Sequence, residues 1–75
     1  MSEGFILSNQ YRKVIFEAFV SGETRLDHIM KKHHIVPPVA KRVISELINE
    51  GLLEKQGDQY RLTPEGEKLG ITLQR

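Results

Sequence analysis

The chain has 75 residues, a formal net charge of +1 and no cysteine. That length suits one domain near the lower limit of unaided folding, and the lack of thiols excludes disulfides and thiolate metal centres. No apolar run approaches the roughly 20 residues of a membrane span, and the start from Met1 to Leu7 has neither the basic region nor the small-residue pattern of a secretion signal, so the expectation is a cytoplasmic protein.

Residues 1–7 read as a short tail. Ser8 or Asn9 can then cap a helix running to about Val20, with Tyr11, Val14, Ile15, Ala18 and Phe19 at helical spacing and Phe16 and Val20 beside them. Gly22 is a stop signal. Glu23-Thr24-Arg25 can form a small edge strand. Thr24 is also a good N-cap with Asp27 three residues on, which predicts a second helix from about Arg25 to Lys32. In that helix Leu26, Ile29 and Met30 face inward, and His28, Lys31 and Lys32 face outward. The link His33-His34-Ile35 is very short, and helices joined so tightly cross steeply. Ile35 or Val36 would plug the gap between them.

The best-marked element follows. Pro37 and Pro38 suit a first helical turn, where a missing N–H removes no internal bond, and Gly51 suits the left-handed residue that ends a helix. Between them Val36, Ala40, Val43 and Leu47 share one face, widened by Ile44 and Ile48. The outward row is Pro38, Lys41, Arg42, Ser45 and Asn49, with Glu46 close to it. Two cations and two hydrogen-bonding side chains suit phosphates and base edges.

After Gly51 the period shortens to two. Leu52–Lys55 and Gln59–Leu62 flank Gln56-Gly57-Asp58, a turn-rich tip, so a β-hairpin is expected. Thr63 caps a last short helix with Pro64 at its first position and acids in its first turn. Gly66 is expected to weaken that helix. Residues 71–75 read as a second tail, so the core runs from about 8 to 70 of a single domain spanning 1–75.

Charge is polarised along this order. Residues 25–42 hold five cations (Arg25, Lys31, Lys32, Lys41 and Arg42) and one acid, Asp27, whereas Val43 onward holds six acids and four cations. One face is thus marked for a polyanion. His28, His33 and His34 lie in the basic segment, but their spacing does not give the i, i+4 pair of a helical metal site. Nothing pairs a nucleophile with a base, and no glycine-rich phosphate loop precedes a helix. The expectation is no enzyme, no metal and no cofactor.

The run Glu46-Leu47-Ile48-Asn49-Glu50-Gly51-Leu52-Leu53-Glu54, followed by Tyr60-Arg61-Leu62-Thr63-Pro64-Glu65-Gly66, resembles the pattern L-x-x-x-G-L-I/L-x … Y-x-L-T-x-x-G. That pattern closes the recognition helix and builds the wing in bacterial and archaeal winged-helix regulators of the MarR-like and ArsR-like broad group. The resemblance implies an α+β winged helix-turn-helix: a three-helix bundle, a β-hairpin wing and a short C-terminal helix. It implies a transcriptional regulator bound to double-stranded DNA, with the helix at about 37–50 in the major groove and the wing at about 52–62 on backbone or minor groove. Carried over by position, Pro38, Lys41, Arg42, Ser45 and Asn49 are the helix contacts. Lys55, Gln56, Gly57, Gln59 and Arg61 are the wing contacts, and Lys31, Lys32, Thr24 and Arg25 lie near phosphate.

The same fold also serves as a protein-interaction module in larger complexes. Under that reading Phe5, Ile6 and Leu7 with Ile71 and Leu73 would form an exposed apolar patch for a protein partner. The same patch could pair two copies, and a symmetric dimer would suit a palindromic DNA site.

Overall fold

Proline and glycine punctuate this chain, and its elements fall between them. The computed structural model describes residues 2–73. The order is α1 (Ser2–Leu7), α2 (Gln10–Val20), α3 (Leu26–His33), α4 (Pro37–Asn49), β1 (Leu53–Gln56), β2 (Gln59–Leu62) and α5 (Pro64–Leu73).

Helix α1 corrects the expected N-terminal tail. Its Ile6 is fully buried in the common core, and Phe5 packs against that core. At the other end Ile71–Leu73 continue α5, while Met1, Gln74 and Arg75 of the expected tails lie outside the described residues. The apolar patch expected at the two ends is therefore mostly turned inward. Of its five members, Leu7 and Ile71 are exposed, and Ile6 is buried.

Asn9 is the cap of α2, its Oδ1 accepting from the Tyr11 N–H at 2.9 Å and the Arg12 N–H at 3.2 Å. Ile15, Phe16, Ala18 and Phe19 are buried, as the phasing requires, but Tyr11 is turned outward. Before α3 the expected Thr24 cap does not form. Arg25 holds the cap position without a side-chain bond. Nor is there a strand at Glu23–Arg25; the Tyr60 N–H donates to the Thr24 carbonyl at 2.9 Å, a single tie from the hairpin. His34 ends α3 in the left-handed region (φ 56°, ψ 46°), and the Ile35 N–H turns back to the Met30 carbonyl at 2.9 Å. This bend drives Ile35 into the core at 6% exposure and leaves Val36 out at 58%, so Ile35 alone is the plug between the helices.

Helix α4 opens on its two prolines and closes at Gly51 (φ 75°), where the Leu52 N–H reaches back to the Leu47 carbonyl at 3.0 Å. Such a 6→1 bond satisfies a carbonyl that the helix end leaves free. Ala40, Val43, Ile44 and Leu47 are buried; Ile48, expected among them, is on the exposed margin. The hairpin pairs Leu53 with Leu62, Glu54 with Arg61, Lys55 with Tyr60 and Gln56 with Gln59. Gly57 takes the positive φ (64°) at the first tip position, and Asp58 does not, as a type II′ turn requires. The Phe19 and Tyr60 rings meet edge to face at 6.2 Å and seat the hairpin on α2.

The turn into α5 locks the end of α4. Thr63 Oγ1 accepts from the Gly66 N–H at 3.0 Å and donates to the Gly51 carbonyl, while the Thr63 N–H donates to the Leu52 carbonyl at 3.1 Å. Gly66 sits against that same carbonyl, where any Cβ would collide with it. Gly66 is thus required by close approach, a reason that helix propensity does not see.

Candidate nucleic-acid interface

The outward face of α4 follows from helical geometry. With Ala40, Val43, Ile44 and Leu47 inward, Pro38, Arg42, Ser45 and Asn49 share the opposite side, with Lys41 at one margin and Glu46 at the other. Pro38, Lys41, Arg42, Ser45 and Asn49 are all exposed. The two prolines leave this helix with no N–H at its first two positions, which removes two of the donors that a helix start would offer an anion.

The remaining expected residues are also exposed. Lys31 and Lys32 lie in the last turn of α3, where cations suit the helix dipole. Lys32 borders a hollow against α2 that also contains Glu17 and Glu23. Arg61 borders another hollow, beneath the hairpin, beside Glu23 and Glu67. Acids thus accompany both of these cations. On the hairpin, Lys55 shares a face with Leu53, Tyr60 and Leu62, and Gln56, Gln59 and Arg61 take the other. Gln56 is tied to its neighbour, its Nε2 donating to Glu54 Oε1 at 3.0 Å. Arg25 faces Asp27 at a loose 3.5 Å, with both side chains well exposed. Desolvation acts against the Asp27 charge, but Arg25 and backbone N–H donors outweigh it and hold this carboxyl below its usual range.

Glu46 is the residue whose setting differs most from a local reading. At i+4 from Arg42 it would be expected to pair along the helix. Instead Arg12 of α2 takes it in a two-pronged grip, Nε to Oε1 and Nη2 to Oε2, both at 2.9 Å. The Arg12 hydrogen bonds hold Glu46 below the usual carboxylate range, and the same bonds raise Arg12 further. Arg12 also ties in α1. Its Nη1 donates to the Phe5 carbonyl at 3.2 Å and to Ser8 Oγ at 3.3 Å, and its guanidinium lies 4.2 Å from the centre of the Phe5 ring. Arg12, Tyr11, Arg42 and Glu46 border one shallow hollow between the start of α2 and α4. With Glu46 so engaged, neither Lys41 nor Arg42 makes an ion pair among the described residues.

The histidines follow no ligand pattern. His28 Nδ1 lies 2.8 Å from Glu23 Oε1, and among the described residues no group of three His, Cys, Asp or Glu side chains converges on a common point. Nor, among those residues, is any helix long and apolar enough to cross a membrane.

The chain thus carries two successive helices, α3 and α4, joined by a three-residue turn, a hairpin that follows them and a polar face on the second helix of the pair. This is the architecture of a fold that typically binds DNA. No curated protein and no solved structure matches the sequence significantly. A family model described as Winged helix-turn-helix matches residues 7–75, nearly the whole chain, and on that match and this architecture the chain belongs to the Winged helix-turn-helix family.

Proposed function

We propose that the protein is a transcriptional regulator, bacterial or archaeal and of the MarR-like and ArsR-like broad group, that acts in the cytoplasm on double-stranded DNA. The observation that carries this reading is the outer face of α4: Arg42, Ser45 and Asn49 lie together, with Lys41 at the margin, all exposed, and neither cation is spent on an ion pair among the described residues. On this reading Lys41, Arg42, Ser45 and Asn49 enter the major groove beside Pro38. Lys31, Lys32 and Arg25 approach phosphates from α3, and Lys55, Gln56, Gln59 and Arg61 do so from the wing.

The test is duplex affinity as a function of salt. Each neutralised phosphate releases counterion with a slope of about −0.9 in log K against log salt, so replacing Lys41 and Arg42 with Gln should flatten the slope, by up to about 1.8 where each also neutralises a phosphate at the groove edge. An unchanged slope, or no duplex binding at low salt, overturns the proposal.

A further inference from the structure

A carboxylate stands beside the proposed reading face, and a residue from another helix holds it. Glu46 lies roughly 40° round α4 from Arg42 and roughly 60° from Asn49. A free glutamate there would swing into the path of a phosphate backbone and repel it. Its carboxylate is instead turned toward α2, with both oxygens occupied by Arg12 at 2.9 Å. Arg12 is itself fixed from behind by the Phe5 carbonyl, Ser8 Oγ and the Phe5 ring, so its grip does not depend on Glu46 alone. The side chains are 20% and 30% exposed, half-sheltered between helices rather than free in solvent.

We propose that Arg12 is a positioning residue for DNA binding, which draws the Glu46 carboxylate off the reading face and neutralises it. The inference rests on the DNA-binding reading above. Only a guanidinium fits the task, because it supplies parallel donors to Glu46 and a further donor to α1 at once; the single ammonium of a lysine cannot. Arg12 touches no nucleic acid in this scheme and acts through Glu46.

Four proteins test it against one duplex at one salt concentration: wild type, Arg12→Gln, Glu46→Gln and the double variant. A carboxylate released to about 7 Å from a phosphate, at an effective dielectric of 40–80, weakens binding by about three- to sevenfold. That loss is expected for Arg12→Gln. Glu46→Gln should bind at least as well as wild type, although it lacks the same ion pair and melts lower. The double variant should return to within about twofold of wild type without regaining stability. Lys13→Gln, which removes one positive charge from the exposed neighbour, controls for net charge and should change affinity by less than about twofold.

A merely bracing role for Arg12 predicts the reverse: all three variants that lack the pair bind weakly, in step with their melting temperatures. That result, or an Arg12→Gln affinity equal to wild type, overturns this inference and leaves the DNA reading intact. Wild-type protein that binds no duplex removes both.

Discussion

His34 is the one non-glycine residue with positive φ among the described residues (56°). The left-handed region costs an L-residue about 1–2 kcal/mol, which glycine avoids, while glycine also gains entropy in the unfolded chain that offsets about 0.5–1 kcal/mol of that relief. His34→Gly is therefore expected to raise stability by about 0.5–1 kcal/mol, read as a higher urea midpoint at unchanged m-value. A fall would mean that the imidazole makes a contact worth more than the strain. At this scale the sequence was legible where chemistry is local. The exposed row on α4, the Asn9 alternative for the cap and the left-handed Gly51 all follow from neighbours within one turn. The partner of Glu46 was not, because Arg12 is 34 positions away and only the packing of α2 on α4 brings it near. Helical spacing points Glu46 to Arg42 instead, and nothing within a turn of it signals the competitor.

Among the elements, α4 and the hairpin were the most legible, since prolines, Gly51 and Gly57 mark their ends. Helix α1 was missed: its six residues are too few to display a period, and the signal for it is the burial of Ile6, a tertiary fact. The junction of α4, β1 and α5 is where local preference and packing disagree. By propensity alone Gly66→Ala should strengthen α5 by about 1 kcal/mol. The Cβ would instead strike the Leu52 carbonyl, a backbone atom already fixed by its bond to the Thr63 N–H. Overpacking of this kind costs about 1–3 kcal/mol, so set against that gain the expected net change is a loss of up to roughly 2 kcal/mol, seen as a lower Tm. Amide exchange should quicken first at Thr63 and at position 66, whose N–H groups are the bonds of this junction. A Gly66→Ala protein more stable than wild type would show that the junction yields freely.

For the molecule as a whole, acid sensitivity should centre on one pair. Of the three ion pairs among the described residues, Arg25–Asp27 is loose and exposed, and His28–Glu23 counts as ionic only when the imidazole is protonated. Arg12–Glu46 joins α2 to α4 and is the better sheltered. In the fold the Glu46 carboxyl lies below its ordinary value of 4.5. The unfolded chain therefore takes up the proton first, so the stabilisation is complete above that value and is lost as pH falls toward the lower folded value. Wild type should lose more of its denaturation midpoint between pH 6 and pH 3 than Glu46→Gln does; parallel losses would place the acid sensitivity elsewhere. The overall fold was legible in the sequence because its landmarks, Gly51, Leu52, Thr63 and Gly66, form a mutually hydrogen-bonded and close-packed set. These four are among the fixed positions of the run by which the family resemblance is seen, and none of them belongs to the exposed row on α4, of which only Asn49 falls within the run, at a variable position. The signature is thus a carpenter's joint rather than a lettered key: it tells which chains are assembled alike, and it leaves the exposed side chains Lys41, Arg42, Ser45 and Asn49 free to change without disturbing the frame.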